Sequence, residues 1–103
     1  MEGGGTMNKR ISVLLSILFI FSFFFSGCYF FSAKKEIANA ESRFSELKAA
    51  GGEKQVPYEY CSAMKFLEDA KVEFSQNDFG PAQGFAKRSR SAAEAGLATI
   101  RKK

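Results

Sequence analysis

Histidine and tryptophan are missing from the 103 residues, and cysteine and proline occur only twice each. Without histidine the chain lacks the side chain most often used as a general base near neutral pH, and the commonest metal ligand. No glycine-rich phosphate loop, zinc-ligand spacing or nucleophile beside a base is found, so no enzymatic activity, metal or cofactor is expected. Charge is missing from one long stretch: apart from Glu2, Lys9 and Arg10, every Asp, Glu, Lys and Arg lies between Lys34 and Lys103. Seven of the twelve phenylalanines (Phe19, Phe21, Phe23, Phe24, Phe25, Phe30 and Phe31) fall within the uncharged block Ile11 to Ala33. They therefore report on a membrane rather than on a folded core. A chain of this length holds one small domain at most.

What is present at the N-terminus reads as an address. Met7 is the expected start of synthesis, because it is followed by a basic region (Lys9, Arg10), an apolar run from Ile11 to about Phe25, and the small residues Ser26 and Gly27. These are the parts of an export signal in their usual order. The next residue is Cys28. "FSGC" resembles the lipobox of bacterial lipoproteins, in which an aliphatic residue, a small residue, Gly or Ala, and Cys are read by enzymes that place a diacylglyceryl group on the thiol and cleave before it. Three of the four positions fit, and Phe25 stands where leucine is usual.

The resemblance implies that residues 1–27 are a signal peptide and that Cys28 becomes the lipidated mature N-terminus. Further acylation of the amine, by palmitate or a similar chain, brings three acyl chains to one residue. At ~0.8 kcal/mol per buried methylene this exceeds what stable anchoring needs. Tyr29 in place of aspartate after the cysteine implies, by the enterobacterial rule, an outer-membrane destination facing the periplasm. Soluble secretion and an uncleaved anchor are the competing readings. The uncharged block of about 20 residues is long enough to span a ~30 Å hydrocarbon core as a helix. Against a span, Ser12, Ser16, Ser22, Ser26 and Ser32 interrupt it, and Lys34 and Lys35 beyond it weaken the charge asymmetry that would orient it.

The exported part reads as all-α. Ser32 is the expected cap of a helix whose apolar residues Ile37, Ala40, Phe44, Leu47 and Ala50 recur in steps of three and four, before Gly51 and Gly52 stop it. Pro57 suits the first position of a second helix, with Glu59 near its positive dipole end and an inner face of Tyr60, Ala63, Met64, Leu67, Ala70 and Phe74. Asn77 or Asp78 is the expected N-cap of a third, with Pro81 in its first turn and a stripe of Phe79, Ala82, Phe85, Ala86, Ser89, Ala92, Ala93, Leu97 and Ile100. Small residues on both facing stripes predict a tight antiparallel hairpin. The organisation is thus 1–27 signal, 28–56 lipidated N-terminus and first helix, and 57–103 helical hairpin, with the first helix either packed on the hairpin or extended as a stalk.

Residues 57–94, from "PYEYCSAMKFLEDAK" to "SRSAAE", resemble a bacterial family of small lipoproteins of uncharacterised function. The likeness is carried by Pro57, Tyr58, Glu59, Tyr60, Ala63, Leu67, Ala70, Asp78, Phe79, Ala82, Phe85 and Ala86. It implies an envelope role. The turn and the small-residue spacing also resemble one tetratricopeptide-type hairpin. Gly80, Pro81 and Gly84 depart from the family's pattern and predict a later or frayed start to the third helix, since an interior glycine costs ~1 kcal/mol relative to alanine.

Among candidate sites, Glu68, Asp69 and Glu73 read as a solvated face rather than a catalytic pair. Lys87, Arg88 and Arg90 form the sharpest basic cluster, suited to headgroups, phosphates or an acidic partner in the envelope. Nucleic acid is not an expected partner outside the cytoplasm. Tyr60 is expected in the core, with Tyr58 covering the neighbouring loop. Cys61 is left without an intramolecular partner once Cys28 is lipidated, and reads as a small buried helix residue, with an intermolecular disulfide as the alternative. The expected function is a lipid-anchored, non-enzymatic envelope accessory with a protein partner. An uncleaved single-pass inner-membrane protein and a binder of an anionic envelope polymer are the alternatives.

Overall fold

A computed structural model describes the backbone of residues 2–103 and the side chains of residues 9–22 and 28–103. Over these residues the chain is all-helical, with α1 (Glu2–Ala49), α2 (Gly52–Gln55), α3 (Pro57–Ser75) and α4 (Phe79–Lys102). The 48 residues of α1 extend ~72 Å at ~1.5 Å per residue. Ser32 does not cap it, contrary to the sequence reading. Capping requires the chain to enter the helix from non-helical backbone, and α1 runs unbroken through Phe31 and Ser32.

Two adjacent glycines end α1 for different reasons. Gly51 sits at φ +82°, left-handed backbone that favours glycine. Gly52 is buried, and a Cβ there would lie 2.8 Å from the carbonyl oxygen of Leu47 and closer still to its side chain. The single turn α2 follows, then buried Val56, then Pro57 at the first position of α3 as its missing N–H predicts. At the other corner Asn77 takes φ +62°, which asparagine tolerates, and the Asp78 N–H donates to the Glu73 carbonyl at 2.9 Å. Asp78 precedes α4 without a side-chain capping bond. Despite Gly80 and Gly84, α4 starts at Phe79.

The residues of α3 and α4 meet in reverse order. Phe74 lies 5.3 Å from Phe79 and Phe66 lies 6.3 Å from Phe85, ring centre to ring centre, and Ser89 Oγ donates to the Ala63 carbonyl at 2.7 Å. The C-terminal part of α1 packs against both helices. Small residues recur at seven-residue steps on the buried faces: Ala33 and Ala40 before Leu47 on α1, Ala63 and Ala70 on α3, Ala82, Ser89 and Gly96 on α4. That repeat keeps one seam of each helix facing its neighbours. Larger side chains fill the glycine corner, where Leu47, Val56, Tyr60 and Leu97 cluster with Ala63 and Ala93. Phe44, 5.1 Å from Tyr60, touches both this cluster and the alanine-rich middle formed by Ala40, Leu67, Ala70 and Ala86.

Ion pairs bind α1 on both sides, exposed for Lys71–Glu41 and Arg43–Glu94 and half-buried for Arg90–Glu36. Lys71 meets Glu41 at 3.1 Å, Arg90 meets Glu36 at 3.1 Å, and Arg43 meets Glu94 at 3.5 Å. Such pairs contribute about 0–1 kcal/mol each, so they set register more than stability.

Ser89 is expected to be the most size-sensitive position of the middle layer. Ser89→Ala deletes the buried bond at a cost of ~1 kcal/mol. Ser89→Val also overfills the seam and is expected to cost ~1–3 kcal/mol more. Thermal unfolding followed by circular dichroism checks the order, and equal midpoints for the two variants would contradict close packing at this position.

Candidate functional site

Between Lys9 and Ser22, α1 is exposed throughout, including Ile11, Val13, Leu14, Leu15, Ile17, Leu18, Phe19, Ile20 and Phe21. These residues cover every side of the helix. An apolar surface all round is at home in a membrane or an export machinery, not in water. Among the described residues no helix is long and apolar enough to cross a membrane. Residues 23–27 lie within the uncharged run and outside that statement, and the side chains of Phe25, Ser26 and Gly27, three of the four lipobox positions, are outside the described residues.

Cys28 is exposed, at the point where this apolar cylinder becomes part of the bundle. Its neighbours face different ways because successive helix positions turn by about 100°. Tyr29 is 54% exposed and Phe31 is 68% exposed. Phe30 turns inward, with its ring 5.2 Å from Phe74 and 5.4 Å from Phe79. Ala33, one turn on, is fully buried. Assigning Phe30 to the membrane block is therefore corrected: it closes the core at this end. The seven-residue step back from Ala40 to Ala33 is the sequence signal that points to the seam's true start. Beside Cys28, Tyr29, Asp78, Phe79, Gly80 and Pro81 line an open hollow of about 390 Å³.

The two arginines of the basic cluster have separate partners. Arg90 pairs with Glu36 and lies 4.0 Å from Glu94 on the α1 side. Arg88 lies over the rings of Phe66 and Phe85, at 5.9 and 5.8 Å. Lys87 is exposed. Around α4, Lys87 and Arg90 stand about 60° apart and Arg88 about 100° from Lys87. On α3, Cys61 is exposed rather than buried, Tyr58 is 80% exposed rather than covering a loop, and Met64 is 39% exposed rather than inside. Tyr60 is buried as expected. Position 61 lies beside position 60 and so turns away from the inner stripe.

The carboxylates divide too. Glu68 is exposed and Asp69 lies 4.0 Å from Lys65. Among the described residues no group of three or more His, Cys, Asp or Glu is placed to hold a metal ion. Glu73 is the carboxyl with altered chemistry. A hydrogen bond with Asp78 raises its pKa above the ordinary 4.5, and partial burial and the charges of Asp78 and Asp69 push the same way. Asp78 is also a wall of the hollow beside Tyr29.

A raised folded-state pKa stabilises the protonated form. This contribution is fully present below 4.5 and is lost as pH rises through the raised value of Glu73. Glu73→Gln keeps a hydrogen-bond donor without the charge. Relative to that variant, the unaltered protein is expected to lose stability as pH rises from 4.5 through the raised pKa of Glu73. Thermal midpoints of both proteins across the range test this, and parallel profiles would count against the Glu73–Asp78 bond.

Comparison with protein-family models, with curated proteins and with solved structures finds no significant match.

Proposed function

We propose that this chain is a lipid-anchored protein of the bacterial cell envelope, held by an acylated Cys28 and acting as a non-enzymatic structural or protein-interaction accessory. In this reading the anchor carries one helix and a tight antiparallel hairpin, residues 57–103, into the periplasm from the outer membrane. The single observation that carries it is the position of Cys28, exposed where an all-round apolar helix gives way to a packed bundle. A signal read up to Gly27 is removed without loss of a core side chain described here, because the buried positions begin after Cys28. The likeness of "FSGC" to a lipobox and of residues 57–94 to small lipoproteins supports the same reading. Tyr58, Cys61 and Val72, exposed together on one face of α3, suit contact with a protein partner.

One observation favours a second reading, an uncleaved single-pass inner-membrane protein whose bundle docks on a membrane complex. The helix α1 is continuous through residue 28, as a rigid connection from a span to a bundle would be.

Mass spectrometry of protein purified from membranes separates the two. The first reading expects an N-terminus at Cys28 with the added mass of acyl chains, and Cys28→Ala is expected to remove that mass and leave the signal attached. An unmodified chain starting at Met1 or Met7 would sink the lipoprotein reading in favour of the second.

A further inference from the structure

We infer that the bundle end formed by Tyr29, Phe31 and the α3–α4 turn is a membrane-docking surface that seats in the headgroup layer and makes the bundle stand upright on the bilayer. The inference rests on anchoring at Cys28 as proposed above, and it goes further by fixing which face meets the lipid. Three observations carry it.

The first is the absence of slack. A flexible tether lets a domain tumble only if several residues are free between anchor and fold. Here Phe30, two residues after Cys28, already packs on Phe74 and Phe79, and Ala33 is fully buried. Whatever holds Cys28 at the membrane holds this end of the bundle there as well.

The second is the order of side chains along α1. In the mature chain the acyl chains on Cys28 come first, the exposed aromatics Tyr29 and Phe31 follow at once, and the exposed Lys34 and Lys35 come next. Tyr29 to Lys35 spans ~9 Å of helix axis at ~1.5 Å per residue. Hydrocarbon, amphipathic aromatic and cation is the sequence of side chains that a bilayer interface selects with increasing height.

The third is the shape of the adjoining surface. The turn brings Phe79, Gly80 and Pro81 level with Tyr29 around the open hollow, so the apolar surface extends beyond α1. Asp78 and Glu73 are at the same end, and Glu73 is held toward its neutral form by their hydrogen bond. The glycine corner and Lys103 then stand ~30 Å above the membrane, the length of the 20 residues from Phe30 to Ala49 at ~1.5 Å each.

Depth-dependent fluorescence quenching tests the orientation in the full membrane-extracted protein, reconstituted in phosphatidylcholine vesicles that carry a shallow lipid-bound quencher. In a Cys61→Ser background, a thiol is introduced at Gly80, where an added Cβ meets nothing within 4 Å, or at Lys103. The parent Cys61→Ser protein sets the background for any label at Cys28. Quenching several-fold stronger at Gly80→Cys than at Lys103→Cys is expected, with Gly84→Cys, also in open space, between them. Equal quenching at all three positions in protein whose mass shows acylated Cys28 overturns the docked orientation and leaves the anchor intact. The expected gradient in protein whose mass shows an unmodified chain supports the docked end and overturns lipidation.

Discussion

The structure depends on how closely three helices approach one another. Alanine, serine and glycine occupy the facing positions of α1, α3 and α4 at seven-residue steps, and most of the buried apolar residues are alanines. Burying one methyl yields little by itself, of the order of 0.8 kcal/mol. Its effect is to let backbones come near enough for whole helix surfaces to interact. Ser89 can reach the carbonyl of Ala63 across the interface only because nothing larger separates the helices. Gly96 serves the same approach near the glycine corner, where a Cβ would press on Leu47, Glu59 and Val56.

A core this thin in the middle relies on its ends. At one end Leu47, Val56, Tyr60 and Leu97 gather beneath the two glycines. At the other, Phe30, Phe74 and Phe79 meet as three rings with centres 5.2 to 5.4 Å apart. Aromatic contacts at such separations favour edge-to-face and tilted arrangements. Cys28 stands at the aromatic end, because Phe30 follows it so closely. Folding of the bundle and placement of the Cys28 thiol are thus one event. The exposed apolar run and the first bundle helix share a single helical rod, and the change of character falls within a few residues of Cys28.

The functional reading follows from that coincidence. The hollow beside Tyr29 opens to solvent, and the arginines of α4 are distributed among Glu36, Glu94 and two phenylalanine rings. The proposed anchored accessory would use the Cys28 end for the membrane and the exposed face of α3 for a partner.

Much of this was legible along the chain. The helical class, the glycine stop, Pro57 at the head of α3 and the inward stripes carrying Leu47, Tyr60, Ala63 and Ser89 all follow from local rules of periodicity and backbone preference, whereas the later start expected of α4 from Gly80, Pro81 and Gly84 does not occur. Cys28 was legible as chemistry, because a thiol after a small pair and an apolar run is a linear pattern. Other features depended on neighbours distant in sequence. Phe30 looks like its companions in the apolar block until Phe74 and Phe79 fold back beside it. Ser32 looks like a cap until the helix is seen to pass through it. Cys61 and Met64 have apolar character but lie off the seam, and Arg88 and Arg90 have separate partners. The sequence by itself determined the elements and the candidate lipid site, since these depend on residues within a few positions of one another. Only the tertiary structure decided that α1 packs on the other two helices and that the α3–α4 turn lies beside Cys28, since those contacts join residues some 45 positions apart.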